Sequence, residues 1–271
     1  MRRTSGSMLC PNCRKLISVD EPKCPFCGTM RPGLWGFGPA LQRVFGPHMD
    51  LVPILLGACV VLYVIGLLID LPGAMRPRGI MNLLSPSGVA LYRLGMTGGF
   101  PIGERWWTLL TAIYLHGGIL HIFFNMWWLR SLMPQVQEVW GPARAFTMWS
   151  LTGAAGFLVS NLLGANFSIG ASGSIFGLLG ALLAYARRHR STWGDIATRQ
   201  MLPQIALILM LGFMMPGVNN LAHVGGLISG YLIGRATPAV GERREKRPEQ
   251  LLALGLAGLT VVGFVLSWTQ S

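Results

Sequence analysis

An all-α polytopic membrane protein preceded by a small metal-stapled segment is the fold class that this sequence predicts, on three observations. Of its 271 residues 52% are apolar and 12% charged, too little charge for a soluble domain of this size. Uncharged runs close to the ~20 residues that cross ~30 Å of hydrocarbon recur along the chain. Ahead of the first run stand two CxxC pairs.

The N-terminal segment holds no apolar signal-peptide core in its first 30 residues, so it reads as a small domain over 1–31 rather than a removable signal. Cys10-Pro11-Asn12-Cys13 and Cys24-Pro25-Phe26-Cys27-Gly28 form two knuckles whose thiolates can converge tetrahedrally on a structural Zn²⁺. A pair of disulfides or redox thiols is the competing reading, and a reducing cytosol argues against it. A closed Cys₄ site leaves the surface of this ribbon open to a protein partner. The Gly- and Pro-rich stretch that follows reads as a linker, 32–50.

The spans are expected at 51–69, 108–129, 145–164, 169–186, 201–217, 219–234 and 251–268. Cys59, inside the first, reads as a packing residue. The net charge of +12 invites a nucleic-acid reading, but its distribution sets a topology instead, and no nucleic-acid partner is expected. With a cytosolic N-terminus, only Arg76, Arg78, Arg93 and Arg105 of the 22 Lys and Arg fall outside. The chain is thus expected in the cell membrane, multi-pass, with its C-terminus outside. A basic linker and the last span fill 238–271.

Chemistry is sought among the polar residues that sit in lipid, where they are costly and usually functional. His121 and Asn125 are four apart and share a helical face, while His116 points about 140° away. Interhelical hydrogen bonding is the plain alternative for that pair. Ser172, flanked by glycines in Gly170-Ala-Ser172-Gly173, falls in the first turn of a span. Unpaired N–H groups and the positive helix end there favour an oxyanion, although small residues in membrane helices also serve packing. His223 stands one turn before the stripe Gly226, Gly230 and Gly234, which lets a neighbouring helix approach closely. Nucleophile, base and donors thus fall at a similar depth.

HGGILHIFFN, GASGSIFG and AHVGG, in that order and spacing, resemble the rhomboid family of intramembrane serine proteases over about 51–235. The resemblance implies a six-helix core, 51–237, with the seventh helix of a six-plus-one arrangement after it. It implies a Ser172–His223 dyad, oxyanion donors from His121, Asn125 and the Ser172 N–H, and Phe176 packed against His223. His116 would have a structural role in the outer loop. It also implies transmembrane-protein substrates cut near the outer face and no catalytic cofactor. One departure is Trp106-Trp107-Thr108, where the family often has Trp-Arg before the second helix; Arg105 is the candidate substitute and the tryptophans suit an interfacial belt. Two rivals stand beside this reading: an inactive rhomboid-like scaffold that binds transmembrane helices, and a small transporter, for which no inverted repeat is visible.

Overall fold

In the computed structural model the chain forms two compact units, Met1–Ile54 and Leu55–Ser271. The residues described are 2–3, 5–11, 13, 15–39, 50–76, 83–99, 103–164, 167–189, 192–215 and 217–270. Positions 40–49 of the expected linker lie outside them, as do Arg78, expected outside, and Arg14, Arg43 and Arg190, expected on the cytosolic side.

The first unit is built on a hairpin. Strands β1 (Ser7–Leu9) and β2 (Leu16–Ser18) pair antiparallel with Met8 opposite Ile17. Strand alternation turns those two side chains inward, where they meet Val19, Cys10 and Cys24. So small a core cannot hold a fold alone, which leaves the sulfur cluster as the staple. Gly28, at φ +74°, donates its N–H to the Cys24 carbonyl at 2.9 Å and closes the second knuckle in a conformation that favours glycine.

Among the described residues the regular structure from Leu51 onward is all helical. After α1 (Leu51–Ile69) come the short α2 (Leu71–Ala74) and α3 (Gly88–Arg93), N-capped by Asp70 and Ser87. Then follow α4 (Thr108–Thr111), continued as a 3₁₀ turn to Tyr114, α5 (Ile119–Trp140) and α6 (Pro142–Leu162). The last four are α7 (Ser172–Arg188), α8 (Thr192–Met214), α9 (Asn220–Ala236) and α10 (Arg247–Thr269).

Among the described residues α1 and α10 are long and apolar enough to cross a membrane alone. The α4 segment and α5 pass together, but they bend by 95° at the break between them. The run 108–129, expected as one span, is therefore two elements, and the long one runs on to Trp140. The cause is local: Gly118 precedes α5 in a fully extended conformation, and the Gly117-Gly118 pair offers no side chain to carry a helix through.

Helices α7 and α9 each have 17 residues and are held together by missing side chains. A Cβ at Gly226 would lie 2.1 Å from the Gly173 carbonyl oxygen, and one at Gly230 would lie 1.9 Å from that of Gly177. The glycine stripe thus lets the two backbones touch where any larger residue would separate them. Helix α6 joins through Gly156, whose Cβ would meet the Ala222 carbonyl at 2.5 Å.

Helix α10 is tied to the core at both ends. Near its start, buried Arg144 pairs with Glu249 at 2.9 Å and donates to the carbonyls of Pro238, Arg243 and Arg244. Near its end, Ser267 Oγ accepts from Trp107 Nε1 at 3.0 Å. Trp107 is therefore a buried contact of α10 rather than part of an interfacial belt, while Trp106 is half exposed. Thr108 is fully buried and bonded to Thr97 and to the Arg105 carbonyl. Arg105 instead stacks over Tyr92 at 4.1 Å.

Candidate active site

Ser172 and His223 come from two helix starts that the glycine stripe brings side by side. His223 Nε2 lies 2.8 Å from Ser172 Oγ. Phe176, one turn after the serine, stacks on the imidazole with ring centroids 4.5 Å apart and planes 15° from parallel. That stacking confines the ring to one plane, and the edge of the ring is then held by a hydrogen bond. Asn220 Oδ1 faces His223 Nδ1 at 3.2 Å. An amide oxygen only accepts, so Nδ1 carries the proton and Nε2 presents a lone pair to the serine hydroxyl.

Asn220 was not singled out by sequence, and it is anchored from a third element. Its Nδ2 donates to the Leu209 carbonyl of α8 at 3.4 Å, and Gly212 of α8 leaves the room its oxygen needs. The neighbouring Asn219 does a different job, accepting from the Ala222 N–H at 3.0 Å as the N-cap of α9. Ser174 is distinguished from Ser172 in the same way: it is fully buried and donates to the Trp149 carbonyl at 2.7 Å, a packing contact with α6.

The expected donors lie on the other side of the serine. His121 Nδ1 accepts from the Gly117 N–H at 3.3 Å, so in the neutral ring Nε2 carries the hydrogen. Nε2 points at Gly170, where a Cβ would be 2.7 Å from it and 3.8 Å from Ser172 Oγ. Gly170 has φ +124° and no side chain, so the space between donor and nucleophile stays open. Asn125 is buried behind it, its Nδ2 turned to the His121 carbonyl at 2.9 Å. His116 is buried edge-on to His121 at a centroid distance of 5.1 Å and touches neither Ser172 nor His223 within hydrogen-bonding range. The first N–H groups of α7, at Ser172 and Gly173, have no partner within a helix that starts there. Polar hydrogens therefore surround one small space next to a hydroxyl that contacts a base.

A second cluster lies in the first unit. The sulfurs of Cys10, Cys13, Cys24 and Cys27 are all within 4.8 Å of one another, with Cys10–Cys27 at 3.7 Å and Cys13–Cys24 at 3.6 Å. These separations are far beyond a disulfide bond of ~2.05 Å. They agree with the ~3.8 Å between sulfurs placed tetrahedrally at ~2.3 Å from one metal ion. Burial pushes the Cys27 thiol up, but the Thr29 hydroxyl and backbone and the neighbouring thiols outweigh it and hold it at about 6. A thiolate is thus within reach at neutral pH, as a metal ligand requires.

Comparison with known proteins bears on the helical unit. Residues 103–239 match the family described as Rhomboid domain. RHOMBOID-like protein 5 of Arabidopsis thaliana is 36% identical over 177 residues, which cover 62% of this chain and 57% of the relative. Rhomboid protease GluP of Bacillus subtilis is 35% identical over 163 residues, 59% of this chain and 31% of the relative. Putative rhomboid protease YdcA of the same organism is 30% identical over 167 residues, 59% of this chain and 83% of the relative. The chain spans about half the length of the Arabidopsis relatives numbered 1, 5 and 4, at 42%, 57% and 40%.

Proposed function

The chain belongs to the rhomboid family, and on that premise we propose that it is an intramembrane serine endopeptidase cutting transmembrane segments of membrane-protein substrates near the outer face. The observation that carries this reading is the 2.8 Å contact of His223 Nε2 with Ser172 Oγ beside the space left by Gly170. In the proposed reaction His223 Nε2 takes the hydroxyl proton as Ser172 Oγ bonds to the carbonyl carbon of the scissile peptide. The carbonyl oxygen becomes an oxyanion held by the Ser172 N–H, His121 Nε2–H and the second amide hydrogen of Asn125. Collapse breaks the C–N bond, and the amine leaves with the proton from His223. A water molecule then loses a proton to His223 and repeats the attack on the acyl-serine, releasing the acid. Asn220 keeps the imidazole in the tautomer that both steps require.

Cys10, Cys13, Cys24 and Cys27 would hold a zinc ion that staples the hairpin unit, with no part in proteolysis. Placement in the cell membrane with the N-terminus in the cytosol belongs to the same proposal and rests on the charge distribution. A fluorophosphonate probe together with a single-pass reporter substrate tests the whole reading. Wild type labels and cleaves, Ser172→Ala does neither, and His223→Ala loses nearly all of both while Ser174→Ala still labels. A protein that retains the reporter uncut and takes no label is a scaffold, and labelling that survives Ser172→Ala removes the dyad.

A further inference from the structure

The helices that start at Ser172 and His223 also end together, and what they gather at that far end has no part in the reaction. α7 closes on Arg187 and Arg188, and α9 on Arg235. Last-turn arginines ordinarily splay outward one by one into water. Here the backbones stay in contact to the last turn of α9, where a Cβ at Gly234 would lie 2.6 Å from Ala181 Cα, about two turns before the end of α7. The guanidinium groups therefore share one concavity of about 510 Å³, lined by Ala184, Arg187, Arg188, Tyr231 and Arg235. Tyr231 lines the same concavity beside Arg187 and Arg235.

The charges of this cavity do not cancel. Arg188 is engaged by Glu242 at 3.2 Å, which stands outside the lining, and the same carboxylate is 3.7 Å from His189 Nε2. The two helix C-termini each supply roughly half a negative charge. Three arginines against one carboxylate and two helix ends leave a surplus of roughly one positive charge. It faces a space large enough for a small molecule and, among the described residues, lined by no carboxylate. Guanidinium forks match phosphate oxygens in pairs, and a phenol hydroxyl adds a further donor.

The geometry points to a phosphate-binding site formed by Arg187, Arg235 and Tyr231, filled by the headgroup of an anionic phospholipid. The ends of two helices of a membrane protein lie where headgroups are, and basic pockets between such helices suit them. Arg188, bound to Glu242, closes the rim. The site lies at the opposite end of α7 and α9 from Ser172 and does not depend on the protein being a protease.

The test uses the full chain in detergent, with phosphatidylglycerol, phosphatidylcholine and inorganic phosphate as separate arms, read by native mass spectrometry and thermal shift. Wild type should retain phosphatidylglycerol in preference to phosphatidylcholine. The double variant Arg187→Gln/Arg235→Gln should bind it about 30-fold more weakly, at about fivefold per arginine. The charge-matched pair Arg130→Gln/Arg199→Gln, outside the cavity, should stay near wild type. Inorganic phosphate that displaces the lipid at millimolar concentration supports the same site, and phosphate that stabilises without any lipid preference assigns it to a soluble source. Equal losses in both pairs would reduce the observation to general attraction by a basic surface and overturn the proposal. Wild-type binding by the cavity variant would overturn it too. If that variant melts early without lipid, Tyr231→Phe carries the test, with a loss of about two- to tenfold expected and no loss counting against the site.

Discussion

Gly226→Ala should disable the proposed site by moving its base. The added Cβ would lie 2.1 Å from the Gly173 carbonyl oxygen and 2.9 Å from its carbon, both backbone atoms that cannot rotate away. Relief needs the helices to part by about 1 Å, because packed interiors hold little slack. Gly173 follows the serine directly and Gly226 is one turn from the histidine, so the gap opens at the 2.8 Å contact itself. A displacement of about 1 Å at reacting groups costs roughly 10²-fold in rate. Overpacking should also lower stability by about 1–3 kcal/mol. Gly234→Ala separates the two effects: its Cβ meets Ala181 at 2.6 Å, but about 16 Å along the helix from His223. It should lose stability and keep most of its rate. Gly255→Ala and Gly258→Ala, where nothing lies within 4 Å, should change neither for the worse. Fluorophosphonate labelling rates beside melting temperatures in one detergent measure all four. Gly226→Ala labelling at the wild-type rate, or Gly234→Ala slowing as much, would refute the reasoning.

Asn220→Ala should slow labelling about two- to tenfold, the worth of one neutral hydrogen bond that selects a tautomer. Asn220→Asp should recover much of that rate while melting earlier, because it accepts from Nδ1 but loses the donor to Leu209; equal rates in both variants would count against a positioning role. Purified protein should contain close to one zinc per chain, and serine at any of Cys10, Cys13, Cys24 or Cys27 should release it without abolishing cleavage. Metal analysis that finds none would remove the zinc assignment. Arg144→Met should cost about 2–3 kcal/mol, since it leaves the carbonyls of Pro238, Arg243 and Arg244 without their donor around a buried position while Glu249 keeps Arg243 and the Lys246 N–H; Glu249→Gln should be milder, and an unchanged melting temperature would mean that α10 is held elsewhere.

Ser172, His121 and His223, which the structure brings together, stood out in the sequence because polar residues in apolar runs are few, so each one narrows the choice. Asn220 was not, since a pair of asparagines before a helix reads as a cap. Asn219 does take the cap, and only the fold assigns its neighbour to the imidazole. Arg144 looked like one more charge setting topology, whereas it is buried and gathers the chain between α9 and α10. The break before α5 was hidden because hydropathy averages over Gly117 and Gly118 as if a helix could pass through them. Thr108 and Trp107 misled for a related reason: their surroundings are made by Thr97, Arg105 and Ser267, the last of them 160 residues from Trp107.

The chemistry of Asn220 also bears on why no carboxylate stands behind this histidine. An aspartate there would hold the ring as well, but as an ion in a membrane interior it would cost several kcal/mol unless fully compensated. The groups around it are poor compensation: the Leu209 carbonyl would face the carboxylate oxygens, and the imidazole has a single N–H to offer. An amide reverses that balance, because its oxygen accepts from the imidazole and its nitrogen satisfies the carbonyl of α8. Orientation is kept while no net charge is buried. In the proposed reaction the dyad would then be limited by electrostatics rather than geometry, which is why the loss expected for Asn220→Ala is far below the ~10⁴-fold that follows loss of the carboxylate function in a soluble triad.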